Sequence, residues 1–196
     1  MPLRYVALGD SYTIGTAIDA AGRWPNQLVA RLPALDLVAN LGVDGFTSRD
    51  VIQGELPGLD RLRPEVLSVL VGVNDVVQGV LETTYRANVA IILDAMVRHV
   101  GASRAFLVTT PDYTVTPSGA AFGDPTQQSA GIAANNAIIT AEAATRGITV
   151  IDIFDLSLRA ATDRSLVADD GLHPGAAQYA TWVDRIEPVV RRLVGG

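Results

Sequence analysis

The sequence predicts an α/β fold in which a parallel sheet of five strands is covered by helices, and three observations carry that prediction. Short β-branched or apolar runs alternate along the chain with longer segments of helical period. The first three runs each give way to a glycine or polar cluster, as strand ends do in open parallel sheets. The last helical segment carries a continuous apolar stripe of the kind that packs on a sheet. The length of 196 residues fits one domain spanning residues 1–196, able to bury roughly 70% of the surface its unfolded chain exposes without covalent staples.

The predicted strands are Tyr5 to Leu8, Leu35 to Asn40, Glu65 to Val71, Arg104 to Thr109 and Thr149 to Asp152. Helical segments lie between them near Trp24 to Leu32, Ser48 to Gly54, Thr84 to Val100 and Gln127 to Arg146, and a last one starts at about Gly175. Trp24 and Pro25 mark a helix start, because proline is tolerated in a first turn and its fixed φ suits one. His99 falls in the last turn of its helix, where an imidazolium meets the negative end of the dipole, so it reads as structural. In the final segment Tyr179, Trp182, Val183, Ile186, Val190 and Leu193 recur at three- and four-residue steps. Pro188 interrupts that stripe and is expected to kink the helix or end its first part near Glu187. Residues 110–126 hold three prolines and two glycines beside Tyr113, Val115 and Phe122, which reads as a loop with an apolar side. Such a loop is either a surface excursion or a lid or acyl-pocket wall.

Composition removes whole classes of chemistry. With no cysteine, disulfide frameworks, thiolate metal sites and a cysteine nucleophile are excluded. All 15 basic residues are arginine, so a Schiff-base lysine, a P-loop lysine and a Ser-Lys dyad are excluded as well. A net charge of −6 argues against nucleic acid as a partner. The amino-terminal apolar run, Tyr5 to Leu8, is too short for a signal-peptide core, and Val66 to Val73 is far below the roughly 20 residues of a membrane span. A cytoplasmic protein is therefore expected. Only His99 and His173 are left for imidazole chemistry.

The polar clusters after the first three strands are Gly9-Asp10-Ser11, Gly42, and Gly72-Val73-Asn74-Asp75. In the common strand order 2-1-3-4-5 these three ends are neighbours, about 4.8 Å apart per strand, so residues just beyond them can converge on one small ligand. Ser11 supplies a hydroxyl nucleophile, Gly42 an unobstructed backbone N–H and Asn74 an amide that can donate to a developing oxyanion. A serine needs a base, and Asp170-Gly171-Leu172-His173-Pro174 puts a carboxylate three residues before a histidine. That spacing lets the carboxylate hold one ring nitrogen and leave the other for the serine. Each motif alone has a plainer account: Ser11 and Asp10 as helix caps, Gly42 and Gly72 as positive-φ positions, Asn74 and Asp75 as an Asx turn, Asp170 and His173 as a surface turn. Four such motifs in order, each at a predicted strand end or terminal loop, favour a common site. Asp10 is expected to brace its loop rather than to serve as the triad acid.

These blocks resemble the GDSL, or SGNH, family of serine esterases and lipases. The matching residues are Gly9-Asp10-Ser11-Tyr12, Asn40-Leu41-Gly42 with Gly45 and Thr47, Gly72-Val73-Asn74-Asp75, and Asp170 to Pro174, so the resemblance covers most of the chain. Tyr12 stands where the family's name has leucine. The resemblance implies a flavodoxin-like three-layer α/β/α sandwich, the SGNH hydrolase fold, and hydrolysis of acyl esters. It assigns Ser11 as nucleophile, His173 as general acid/base, Asp170 as its partner, and Ser11 N–H, Gly42 N–H and the Asn74 amide as the oxyanion hole. It implies neither a metal nor an organic cofactor, and a small-molecule acyl ester as substrate. The same site suits a thioesterase or acyltransferase. A catalytically silent binding domain is a further alternative, and a nucleotide-binding domain ranks last for want of a glycine-rich phosphate loop. Acyl length, the alcohol part of the substrate and the oligomeric state are not encoded legibly.

Overall fold

The computed structural model describes residues 1–195. In chain order the elements are β1 (Leu3–Gly9), α1 (Ser11–Ile14), α2 (Trp24–Arg31), β2 (Leu35–Asn40), α3 (Ser48–Asp50), α4 (Leu59–Leu62), β3 (Val66–Leu70), α5 (Val73–Val77), α6 (Glu82–Val100), β4 (Ala105–Val108), α7 (Pro125–Ala144), β5 (Thr149–Ile151), α8 (Phe154–Ser157) and α9 (Ala176–Val194). The five strands form one parallel sheet in the order β2-β1-β3-β4-β5. The order reverses at β1, which lies between β2 and β3 with Tyr5 opposite both Leu37 and Val66.

A strand segment covered on both faces needs apolar residues at every position, and β1 meets that condition from Tyr5 onward by alternation. Tyr5 and Ala7 join a core layer with Trp24 and Leu28 of α2 and with Tyr179, Trp182, Val183, Ile186 and Val190 of α9. Val6 and Leu8 face the opposite layer, built from Tyr85, Val89, Ile92, Leu93 and Met96 of α6 and Ile138, Ile139 and Ala143 of α7. Ser68, a polar residue in a buried strand, is satisfied by the Tyr5 hydroxyl at 2.7 Å. Trp24 begins α2, is fully buried and packs edge-on against Phe106, so its ring belongs to the core. His99 sits in the last turn of α6, 4.0 Å from Asp60.

The chain departs from the sequence expectations in three places. Pro188 does not end the last helix: α9 runs through it to Val194. The proline denies the Asp184 carbonyl its helical partner, but both residues lie on the exposed face, where solvent can replace that partner, while buried Ile186 and Val190 hold the helix to the sheet on either side. The segment after Ser48 is helical only briefly as an α-helix; Val51–Glu55 widens into a π-helix. The irregular segment after β4 ends two residues earlier than expected, because Asp124 caps α7 through the Gln127 amide and Pro125 opens the helix. No helix of the described residues is long and apolar enough to cross a membrane.

Candidate active site

The sheet delivers the ends of β1, β2 and β3 to one rim. Gly9 closes β1 at φ +144°, and a Cβ there would lie 2.1 Å from the Leu70 carbonyl oxygen of the neighbouring strand. Only glycine allows the chain to turn so sharply against β3. Asp10 then caps α1, its Oδ1 accepting the Tyr12 amide at 2.9 Å. Ser11 is thereby the first residue of a single helical turn and is almost fully buried. Asp10 is a brace, as the sequence suggested.

The loop after β2 passes directly over this turn. A Cβ on Gly42 would meet Ile14 N at 2.7 Å and Asp10 O at 2.8 Å, so the close approach again requires glycine. The Gly42 N–H donates to Asn40 Oδ1 at 3.1 Å. Gly42 lines a broad groove of about 1110 Å³ with Ile14 to Asp19, Arg23 and Val43, beside the cavity that holds Ser11.

Gly72 leads from β3 into α5, which carries Asn74 and Asp75. Asn74 Nδ2 donates to Phe46 O at 2.9 Å, which occupies one of its two amide hydrogens. Asp75 accepts from Ser48 N at 2.9 Å and Ser48 Oγ at 2.6 Å, and Asn88 donates to the same hydroxyl at 3.0 Å. The two side chains tie residues 46–48 to α5 and so fix the loop that follows Gly42. Burial pushes the Asp75 carboxyl above its ordinary range, against the two hydrogen bonds from Ser48.

From the other end of the chain, residues 166–175 fold into a compact turn closed by Ala168 N–H to His173 O at 2.8 Å and Gly175 N–H to Leu166 O at 2.7 Å. Asp170 Oδ1 accepts the backbone amides of Leu172 and His173 at 2.8 and 2.9 Å, and its Oδ2 lies 2.6 Å from His173 Nδ1. Burial alone would raise the Asp170 carboxyl; the hydrogen bonds from the His173 ring and the two amides outweigh it and leave the group below the usual carboxylate range. An ionised Asp170 keeps the proton on Nδ1 and leaves Nε2 as the basic nitrogen. The His173 ring is buried and tilts against Tyr12, with centroids 5.5 Å apart. Tyr12 is itself held through its carbonyl by the Tyr179 hydroxyl at 3.0 Å.

Ser11, Asn74 and His173 line one cavity of about 300 Å³. Its remaining walls are largely apolar: Tyr12, Val73, Val77, Tyr113, Phe122 and Leu172. Asp44 and Gly45 complete the rim, and Asp44 also borders the neighbouring groove. The structure thus brings Ser11, Asn74, His173 and, behind the imidazole, Asp170 together; Gly42 stands beside the cavity with its amide turned to Asn40. Among the described residues no hydrogen bond joins the Ser11 hydroxyl to the His173 ring.

The 110–124 loop lines this cavity, one of the two placements the sequence left open, but its tie to the Asp170 turn had no sequence signal. Tyr113 and Phe122 form an edge-to-face pair with centroids 5.7 Å apart at the cavity wall. Ser118 donates through its amide to Gly171 O at 2.9 Å and through its hydroxyl to Asp170 O at 3.2 Å. The wall and the turn bearing the imidazole are therefore stapled together. Glu55, buried under the Gly9 turn, was also missed, although its position four residues after Val51 and four before Leu59, both buried, puts it on an apolar stripe.

The model of the GDSL-like lipase/acylhydrolase family matches residues 7–181. A search of curated proteins finds no match to the chain. Among solved structures, TesA superposes with a TM-score of 0.76 at 20% identity, covering 97% of this chain and 99% of that one. The lipase/acylhydrolase from Enterococcus faecalis gives 0.74 at 22% identity over 100% and 96%. A psychrotrophic esterase, EstA from Pseudoalteromonas sp., in a structure inhibited by monoethylphosphonate, gives 0.73 at 16% identity over 98% and 99%. These likenesses show the fold, and the family match over most of the chain shows the kinship: the protein belongs to the GDSL-like lipase/acylhydrolase family and is a carboxylic ester hydrolase of that type.

Proposed function

We propose that the protein cleaves small acyl esters through an acyl-serine intermediate, with Ser11 as nucleophile, His173 as general acid/base and Asp170 as its orienting partner. The observation that carries this proposal is the 2.6 Å contact from Asp170 to Nδ1 of an imidazole that shares a 300 Å³ cavity with Ser11. Attack of Ser11 Oγ on the ester carbonyl forms the C–O bond as the serine proton passes to His173 Nε2. Collapse of the tetrahedral intermediate expels the alcohol, which takes that proton. Water then attacks the acyl-serine, giving its proton to the same nitrogen, and Ser11 is regenerated as the acid departs. Ser11 and His173 are not in hydrogen-bond contact without substrate, and such contacts often tighten only when a reacting group fills the site.

The negative oxygen of the intermediate needs donors placed in advance. The free amide hydrogen of Asn74 and the Ser11 N–H serve that role, and the Gly42 N–H joins them by exchanging its bond to Asn40 for one to the oxyanion. Two carboxylates, Asp44 and Asp170, border the site without an arginine in its lining. That environment favours an uncharged acyl group over an anionic one.

The test of the base is a pH–rate profile. Loss of the proton acceptor in acid should lower kcat/KM about tenfold for each pH unit once the imidazole is protonated. A rate constant with no acid limb would remove His173 from the mechanism. The cavity lies at the small end of the roughly 300–1,000 Å³ found for ligand sites, so acyl length is a second readout. In a series of p-nitrophenyl esters, kcat/KM should fall steeply beyond short chains, and an equal rate with long chains would contradict an acyl group seated between Tyr113, Phe122 and Leu172.

A further inference from the structure

The turn that carries Ser11 rests on two buried acids. Glu55 Oε2 accepts the Gly9 amide at 2.9 Å, and Asp10 Oδ1 accepts the Tyr12 amide, so carboxyl groups hold the backbone on both sides of the serine. Glu55 ends the π-helical segment Val51–Glu55 and is only 2% exposed. Single π-turns of this kind recur at functional sites.

Neither acid has a counter-charge. The remaining oxygens, Glu55 Oε1 and Asp10 Oδ2, are buried and have no hydrogen-bond partner. Among the described residues no arginine or histidine forms an ion pair with Glu55, Asp10 or Asp75. The charged groups acting on the pair are themselves acids: Asp10 on Glu55, and Asp75 and Asp44 on Asp10. From α6 the titratable neighbour is the Tyr85 phenol, which is buried, feels the Asp10 charge and donates to Val71 O. Tyr12 and Tyr179 feel the same charge. An isolated buried carboxylate is so costly that the group takes up a proton instead, and two neighbouring carboxyls resist ionising together.

We infer that Glu55 is a positioning residue of this esterase, held protonated under the Gly9–Ser11 turn so that its carboxyl fixes the Gly9 amide and, through it, the nucleophile. This rests on the assignment of Ser11 proposed above. Desolvation pushes Glu55 up to about 9 against the Gly9 hydrogen bond, and Asp10 up to about 8 against the Tyr12 amide. At neutral pH the turn is therefore braced by acids that hold their protons. Raising the pH places an uncompensated negative charge beneath Ser11; the Gly9 amide favours that charge, but its burial without a counter-ion outweighs the hydrogen bond and strains the turn.

Two variants and two measurements test this. Glu55→Leu removes the acceptor for Gly9 and should lower kcat about 10- to 100-fold, with KM little changed, since small misplacements of reacting groups cost that much. Glu55→Gln keeps an acceptor and cannot ionise; it should restore most of the kcat lost in Glu55→Leu and move the alkaline decline of the wild-type rate to higher pH. An alkaline limb in Glu55→Gln that superposes on the wild type, or the absence of such a limb in the wild type, overturns the inference, whether or not Glu55→Leu folds.

Thermal melting supplies a readout independent of activity. A carboxyl with a raised folded-state value stays protonated while its unfolded counterpart ionises in the ordinary range, so it stabilises the fold at low pH and loses that contribution as pH rises toward about 9. Tm of the wild type should therefore fall relative to Glu55→Gln between pH 5 and pH 9. A constant Tm difference contradicts the buried proton. A widening difference in a protein that hydrolyses no ester would instead leave the proton in place and remove the esterase assignment of Ser11.

Discussion

Ser11→Ala should abolish ester hydrolysis. Loss of the nucleophilic oxygen leaves only binding and oxyanion stabilisation, and in serine hydrolases the removal of one triad member costs on the order of 10⁶ in kcat. The fold should survive, because the Ser11 hydroxyl makes no hydrogen bond to the protein, and the backbone contacts that hold the turn, from Gly15 and Thr16 to Ser11 O, are unaffected by the side chain. An unchanged melting temperature with lost turnover of p-nitrophenyl acetate is the expected pair of results. Full turnover by the alanine variant would move the chemistry to another residue.

Asn74→Ala should lower kcat by about 10²- to 10³-fold, the usual cost of one oxyanion donor. The same side chain also holds Phe46 O, so a purely structural effect must be separated. An oxyanion donor acts chiefly in the transition state, so kcat and kcat/KM should fall together while KM holds. A raised KM with kcat intact would assign Asn74 to shaping the loop at Phe46 and leave the oxyanion to the backbone.

The sheet was legible because β3, β4 and most of β1 are buried on both faces and so read as apolar runs, and because the polar clusters mark where the first three runs end. The stripe from Tyr179 to Val190 was legible for the same reason: every member is fully buried. The break that Pro188 suggested near Glu187 does not occur, because the cost of a proline depends on whether the orphaned carbonyl lies at the surface, which a one-dimensional pattern does not contain. The 2.6 Å bond between Asp170 and His173 joins residues three apart and follows from local spacing. The staple from Ser118 to the Asp170 turn spans about fifty residues of chain and leaves no periodic trace. Glu55 lay on a readable stripe with Val51 and Leu59, yet an acid at such a position is ordinarily solvated, and the acceptor it supplies to the Gly9 amide 46 residues away leaves no local pattern.

The proposed hydrolysis needs a serine made nucleophilic by the imidazole that shares its cavity, and covalent trapping tests that most directly. Incubated with an alkyl phosphonate ester and digested, the wild type should carry one phosphonyl group, mapped by mass spectrometry to Ser11, at a rate that falls in acid together with turnover. Inactivation without an adduct at Ser11, or an adduct formed equally fast with alanine at position 173, would contradict it.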